Sequence, residues 1–398
     1  MRAVGALIGM CFLVAGCAAT EGPPGANDKL YEAVATSAAQ GVLVIDSRTH
    51  AVDRRLPLGV PSKDWKHLYS IVSSSLVDTD PQTGGTRNIL ALGGVYELPT
   101  AAANGMPGGL SAEGFWLVVQ SYDGSATHML VINTQTWQIT KHVILQGRFH
   151  FDAISDDGDR LYLIEYLNGK EYYVRQYNVA DGQLDANIVV DKSDGNQAMT
   201  GLRLSGVAAP DGSMLFSMYV RESDVPFIHA LNLSGPFAFC LDLPGSGYAQ
   251  GKPAMQWSLA MRRDGARLYA INGATGVVVE LDTTNQYSPQ ILRTAHINAT
   301  ASGAIGAGAS VLSPDGRTLV AAGSSGVVWV DTSSLSIRMS TLSGWRVSAV
   351  GLSPDGETLY AVSDQGRTAQ VSMRSAAVLA EFDPAGGKPI ALMRVAGA

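Results

Sequence analysis

One phrase that recurs along the chain limits its fold more than any other feature. An apolar stretch runs into Ser-Pro-Asp-Gly or a close variant, two polar residues follow, and Leu-Tyr opens a second apolar stretch. Pro presets φ at one turn position, Asp hydrogen-bonds back to the backbone and Gly accepts a positive φ, so each copy predicts a structural β-hairpin. The clearest copies span 313–319 and 353–360, and 155–162 is nearly as good. Weaker copies span 209–216, 263–269 and 111–117, the copy at 62–69 has lost the glycine, and a fragment at 28–31 opens the series.

The spacing of these copies predicts four-stranded repeats. The leucines that follow the turns lie 38 to 54 residues apart, which is close to one propeller blade. Two further strands follow each Leu-Tyr strand; in 41–58, an apolar strand ends in Asp and a polar turn leads to a more charged strand. A blade requires this gradient, because neighbouring blades enclose its inner strands. Since no long stretch has a helical period, we expect an all-β fold, a β-propeller of four-stranded antiparallel blades.

The two ends of the chain predict how the ring closes. The first unit has three strands but no innermost one, and residues 388–395 form a lone apolar strand with nothing after it. Joined, they complete one blade and remove the edges that an open ring would leave. We therefore expect eight blades in a domain over 28–398. Seven blades remain an alternative, because 53–64 leaves little room for an outer strand and the next innermost strand.

The first 27 residues are typical of an exported lipoprotein. Residues 3–16 form an uncharged apolar run after Arg2, too short to span a bilayer but suited to a signal peptide. The run ends in Val-Ala-Gly-Cys at 14–17, which resembles a bacterial lipobox. The resemblance implies that 1–16 is a leader, that Cys17 carries the lipid, and that 17–27 is a flexible tether. The alternative is an ordinary secretory leader cut nearby.

The repeat phrases also carry a family resemblance. Leu-Val-Ile-Asp-Ser-Arg-Thr at 43–49 and Ser-Pro-Asp-Gly-x-x-Leu-Tyr resemble the YVTN-type β-propeller repeats of bacterial surface and periplasmic proteins. The resemblance covers about 28–398 and implies the propeller fold. It implies little about activity, since that family includes binding proteins, scaffolds and a few lactonase-like enzymes.

Charge and motif content argue against several function classes. The formal charge is −7 and no run of Lys and Arg stands out, so no nucleic-acid partner is expected. The three cysteines, Cys11, Cys17 and Cys240, exclude a cysteine metal cluster, and the apolar surroundings of Cys240 predict a buried, inert residue. The chain has no His-Glu-x-x-His, Gly-x-Ser-x-Gly or phosphate-loop motif. We therefore predict no catalytic residue, metal ligand or cofactor, and a monomer.

Candidate binding residues come from the loops that lead into the innermost strands, since these loops converge on the mouth of the central channel. Arg148, His150 and Asp152 form the densest group and suit an anion- or sugar-binding mouth. The structural alternative is ordinary loop residues, with Phe149 and Phe151 packing between blades. A metal or acid–base role for His150 and Asp152 with Glu97 is a third interpretation. The full candidate set is Tyr96, Glu97, Arg148, His150, Asp152, Arg203, Trp257 and Trp345.

Together these features predict a membrane-tethered binding or scaffold protein of the bacterial cell envelope, exported and held on the outer side of a membrane through Cys17. Its partner would be an envelope protein, a small molecule or a glycan. The alternative is a lactonase-like or other hydrolase with a metal at the channel mouth. A fold alone does not choose between them.

Overall fold

The computed structural model describes residues 27–37, 39–192, 197–297, 309–323, 325–384 and 386–397. The predicted leader, Cys17 and all of the predicted tether except Asn27 lie outside the described residues, as does nearly all of the glycine-rich stretch 302–309. Within the described part, no helix has the length and apolar character needed to cross a membrane.

The described chain folds into eight antiparallel sheets arranged as blades in a ring, which confirms the predicted eight-bladed β-propeller. Blade 1 contains β1 (Asp28–Ala35), β2 (Gln40–Asp46) and β3 (Val52–Pro57); blade 2 contains β4 (Val60–Pro61), β5 (Leu68–Val72), β6 (Ser75–Thr79) and β7 (Thr86–Ala91). Blade 3 contains β8 (Trp116–Tyr122), β9 (Ala126–Asn133) and β10 (Gln138–Gln146); blade 4 contains β11 (Phe149–Ile154), β12 (Arg160–Tyr166), β13 (Glu171–Asn178) and β14 (Gln183–Ile188).

The link between blades 4 and 5 forms two short strands, β15 (Val190–Asp191) and β16 (Met199–Thr200). Blade 5 contains β17 (Leu202–Ala208), β18 (Met214–Val220), β19 (Phe227–Asn232) and β20 (Phe237–Asp242), and two 3-10 turns follow at Tyr248–Gln250 and Lys252–Met255. Blade 6 contains β21 (Trp257–Met261), β22 (Arg267–Asn272), β23 (Val277–Asp282) and β24 (Gln290–His296); blade 7 contains β25 (Ala309–Leu312), β26 (Thr318–Gly323), β27 (Gly326–Asp331) and β28 (Ser336–Thr341). Blade 8 contains β29 (Val347–Leu352), β30 (Thr358–Ser363), β31 (Thr368–Ser372) and β32 (Val378–Phe382), and the chain ends in β33 (Lys388–Gly397).

The repeated turn joins the two inner strands of a blade, as its residues predict. In the last copy, the Ser353 hydroxyl donates to Asp355 at 2.5 Å and accepts the Thr358 N–H at 2.9 Å, while Gly356 takes a φ of 76°. The last turns of the series pack on one another: a Cβ at Gly356 would lie 2.7 Å from Cγ of Pro314 in the preceding copy, and a Cβ at Gly265 would lie 2.8 Å from Cδ of Pro210. The copy without glycine keeps the turn, and Trp65 takes a φ of 58° there.

Strand β33 closes the ring, as the sequence predicts. It pairs with β1 in antiparallel register from Asp28 opposite Gly397 to Ala35 opposite Lys388, and so completes blade 1 from both chain ends. Pro389 is buried, and the apolar side chains from Ile390 to Ala396 are half-buried.

Blade 2 resolves the choice between seven and eight blades. Its innermost strand, β4, has only two residues, and only Leu58 and Gly59 separate it from β3. Gly59 lies in this tight link, where a Cβ would come within 2.3 Å of the Tyr69 carbonyl oxygen. The boundary between blades 1 and 2 therefore fits into this link because β4 is very short and the backbone at Gly59 packs closely against Tyr69.

Blade 3 departs from the repeat. Its innermost position is held by two isolated bridges, Glu97 with Gln120 and Leu110 with Leu117, rather than by a continuous strand. Residues 99–108 between them, which we call the channel insertion, reach two other blades: Ala103 N–H donates to the Leu204 carbonyl of blade 5 at 3.0 Å, and the Asn104 amide donates to the Ile390 carbonyl of blade 1 at 3.2 Å. The insertion therefore crosses the central channel.

Candidate functional site

A cavity of about 760 Å³ lies between blades 4 and 5 beside the channel insertion, and we call it the blade 4–5 cavity. Its size falls in the range of small-molecule sites, roughly 300–1,000 Å³. The link 197–203, the turn 221–224 and the 3-10 turn at Tyr248 surround it. The walls therefore come from segments that join strands, with the two blades as a rigid support.

One wall of the cavity is aromatic. Tyr172, Tyr219 and Phe227 form a stacked series, with ring centroids 6.1 Å apart for the first pair and 5.1 Å for the second. Burial raises the pKa of both tyrosines, so their hydroxyls stay protonated near neutral pH. The wall thus offers flat apolar rings together with O–H groups that can donate hydrogen bonds.

The cations around the cavity already have carboxylate partners. Arg203 Nη1 lies 2.7 Å from Asp152 Oδ1, joining the innermost strands of blades 5 and 4. Arg221 stacks over Phe227 at 4.1 Å and pairs with Asp242 at 3.0 Å. A carboxylate therefore compensates each of these two guanidinium groups, and neither adds a net positive charge to the cavity.

His150 lines the same cavity in a neutral form. Burial lowers its pKa, and the nearby Asp152 and Glu97 offset that effect only in part. Its Nδ1 lies 2.7 Å from the Phe151 carbonyl oxygen, so Nδ1 carries the proton and donates to it. Nε2 is then the acceptor of the ring.

Five of the eight predicted residues meet in this region. His150 and Arg203 line the cavity, and Asp152 holds Arg203 and lines an adjoining space of about 170 Å³. Glu97 is close enough to affect the pKa of His150. Arg148 is exposed, with its guanidinium 5.4 Å from the centre of the Tyr166 ring at the rim.

The other three predicted residues lie elsewhere. Tyr96 directs its hydroxyl toward His142 Nε2, at 3.4 Å in blade 3. Trp257 is 3% exposed in the core shared by blades 5 and 6. Trp345 lies at the start of blade 8 under the guanidinium of Arg367, 4.6 Å from its ring centre. None of these three lines either described cavity.

Sequence reasoning missed a group of three residues in the cavity wall. Asp191, His229 and Cys240 offer ligand atoms that all lie within 4.8 Å of one another. The expectation of a buried, inert Cys240 is wrong in part: the residue is half-buried and lines the cavity, with Sγ 3.7 Å from His229 Nδ1. One sequence feature pointed to the link that carries Asp191: the spacing from Leu161 to Leu215 is 54 residues, the longest of the series.

The comparisons with known proteins show the fold and nothing finer. No protein-family model and no curated protein matches the chain. Among solved structures, the dihydro-heme d1 dehydrogenase NirN in complex with DHE is 14% identical, with 93% of this chain and 75% of that chain covered and a TM-score of 0.55. Hydrazine synthase of Kuenenia stuttgartiensis is 16% identical over 81% of this chain and 99% of that chain, with a TM-score of 0.44. A chain of the mitotic checkpoint complex is 16% identical over 57% of this chain and 64% of that chain, with a TM-score of 0.38. At these identities the likeness to NirN supports one conclusion, that the chain is an eight-bladed β-propeller.

Proposed function

We propose that this chain is a lipid-anchored binding protein of the bacterial cell envelope, and that it holds a small polar organic ligand, a glycan fragment, in the blade 4–5 cavity. The observation that carries the proposal is the cavity itself, about 760 Å³ of concave space between two rigid blades. Ligand sites of this kind combine apolar walls with a few fixed polar groups.

The composition of the walls supports a neutral, ring-bearing ligand. Tyr166, which is 40% exposed, and the half-buried Tyr248 line the cavity and offer rings against which a sugar can pack. The hydroxyls and the neutral His150 supply hydrogen-bond donors and acceptors around those faces. The paired state of Arg203 and Arg221 favours such a ligand over a free anion, which would have to compete with their carboxylates.

The cellular setting of the proposal depends on the first 27 residues. The apolar run 3–16, the lipobox-like 14–17 and the Pro- and Gly-rich stretch before Asp28 support export, lipidation of Cys17 and a short tether. A tether of this length would hold the propeller beside the membrane, where cell-wall fragments are available to it.

The test is direct binding with a matched pair of variants. The full chain, purified in detergent, is titrated calorimetrically with a panel of soluble neutral oligosaccharides, and with muropeptides as their carboxylate-bearing counterparts. Leu202→Trp enlarges a side chain that lines the cavity and is 47% exposed, whereas Ile89→Trp makes a similar change on the outer strand of blade 2, at a residue that is 65% exposed.

We expect at least one panel member to bind, and Leu202→Trp to weaken that binding by about tenfold or more, which is about 1.4 kcal/mol. Ile89→Trp should leave it unchanged. If no member binds, or if both variants bind as the wild type does, the proposed site is wrong. Capture of an envelope protein that Leu202→Trp does not weaken would instead support a scaffold role on another surface.

A further inference from the structure

We propose that Asp191, His229 and Cys240 form a zinc-binding site in the wall of the blade 4–5 cavity. Their ligand atoms lie within 4.8 Å of one another. The inference goes beyond the proposed ligand-binding role and does not depend on it, because it is tested with the metal alone.

The sheet register places the three residues together. His229 on β19 lies directly opposite Cys240 on β20, and Asp191 on β15 lies opposite Ala238. Since side chains two positions apart on a strand share a face, Cys240 and Ala238 face the same way and Asp191 is the diagonal neighbour of Cys240. The parallel strand β15, which the repeat does not require, is what brings the carboxylate to this face.

The spacing of the sulfur and nitrogen atoms suits zinc. In a tetrahedral site with Zn–S of about 2.3 Å and Zn–N of about 2.0–2.1 Å, the sulfur and nitrogen ligands stand about 3.5 Å apart. The distance from Cys240 Sγ to His229 Nδ1 is 3.7 Å, so a shift of a few tenths of an ångström would place both atoms in bonding positions. The Asp191 carboxylate, within 4.8 Å of the other two ligand atoms, would have to move by up to roughly 1.3 Å to join them.

The geometry of the imidazole shows which nitrogen a metal would use. His229 is 2% exposed, and its Nε2 has no hydrogen-bond partner among the described residues. Nδ1 is the nitrogen that faces Cys240 Sγ. A metal beside the thiol would therefore bind Nδ1, and Nε2 would lie outside the site.

The chemistry of the three groups selects the metal. Thiolate, imidazole and carboxylate together are typical zinc ligands, whereas calcium and magnesium prefer oxygen alone. Asp191 and Cys240 line the cavity, so a bound ion would have a coordination position open toward it. Three protein ligands with an open fourth position are the arrangement of zinc sites that bind water or a ligand.

The rival set at the channel mouth, His150 and Asp152 with Glu97, is less suited to a cation. Asp152 is 2.7 Å from the Arg203 guanidinium, whose positive charge opposes a metal there. The Nδ1–H of His150 donates to the Phe151 carbonyl, which is common in metal-bound histidines, so the Asp152–Arg203 pair is what distinguishes the two sets. The two sets can be separated by substitution.

The experiment titrates the full chain, purified in detergent and stripped of metal, with Zn²⁺ and in parallel with Co²⁺. We expect one Zn²⁺ per chain and a thiolate-to-Co²⁺ charge-transfer absorption. Cys240→Ser and Asp191→Asn should each weaken Zn²⁺ binding by more than about 100-fold, beyond the loss typical of second-shell partners. His150→Gln should leave the Zn²⁺ affinity unchanged.

Alkylation of Cys240, measured on its own peptide by mass spectrometry, separates it from Cys11 and Cys17. Zn²⁺ should slow this alkylation at least about tenfold, because a metal-bound thiolate is shielded. This readout needs only the wild-type chain, so it still decides the question if a variant misfolds. Equal alkylation with and without Zn²⁺, no Co²⁺ absorption band, or loss of Zn²⁺ binding in His150→Gln but not in Cys240→Ser would overturn the proposal.

Discussion

Deleting residues 388–398 should strongly destabilise the propeller, because it removes the innermost strand of blade 1. Ile390, Leu392, Met393 and Val395 are half-buried in β33, and Leu392 and Val395 pack against Leu30 and its neighbours. Full burial of such side chains contributes about 1.5–3 kcal/mol each, so half-burial of four gives roughly 3–6 kcal/mol in total. The backbone pairing with β1 is lost as well.

This loss is large beside the roughly 5–15 kcal/mol by which a typical domain is stable. The deletion also leaves β1 with an open inner edge, which promotes aggregation. We expect the truncated chain to be insoluble or quickly digested in limited proteolysis, and any soluble fraction to unfold at much lower urea concentration. Removal of Ala398 alone is the control, since the pairing with β1 ends at Gly397. A soluble deletion variant with an unchanged unfolding midpoint would refute the closure argument.

Three further predictions concern the anchor, a buried carboxyl and the turns. Cys17→Ser should abolish incorporation of a fatty-acid probe and release the protein from membranes; labelling that persists would exclude the lipobox. Burial raises the pKa of Glu32, which is 1% exposed, from 4.5 to about 8, so the folded chain keeps a proton that the unfolded chain has already lost, and the stability of the fold falls as pH rises from 4.5 to about 8. From pH 5 to about 8 the melting temperature of the wild type should therefore fall more steeply than that of Glu32→Gln; equal slopes would contradict this. Gly93 has a φ of 71° and nothing within 4 Å of an added Cβ, so Gly93→Ala should lower the free energy of unfolding in urea by about 1 kcal/mol. Gly356→Ala should lower it by at least about 1 kcal/mol more, because the new Cβ would meet Pro314. Equal losses would argue against the packed turns.

The architecture could be predicted from the sequence because its determinants are local. Ser353, Asp355 and Gly356 form their turn almost entirely with each other and with Thr358, so a short phrase is enough to specify a hairpin. Counting such phrases gave the number of blades, and the apolar chain end gave the closure. Trp65 shows the limit of pattern matching, since it keeps the turn at a φ of 58° without the glycine.

The site could be predicted only in part, because its residues meet through long-range contacts. His150, Asp152 and Arg203 lie on the innermost strands of blades 4 and 5 rather than in the loops before them, and the packing of those neighbouring blades brings them together. Asp191 reaches its position only because the link between blades 4 and 5 adds β15 in parallel to β20, a detour that no local phrase marks.

The channel insertion was also missed. Ala103 contacts Leu204, 101 positions further along the chain, and Asn104 contacts Ile390, 286 positions further along. A run of small residues such as 101–109 does not specify such partners. The spacing of 49 residues from Leu68 to Leu117 lies inside the range of the series, so the repeat spacing did not mark the insertion either.

The most direct test of the proposed ligand site is hydrogen–deuterium exchange of the full chain with and without the panel member that binds most tightly. The account predicts slower exchange in segments that line the blade 4–5 cavity, 199–203 and 221–224, with no change in blades 1 and 8. Slower exchange in blades 1 and 8 with none in those two segments would contradict it.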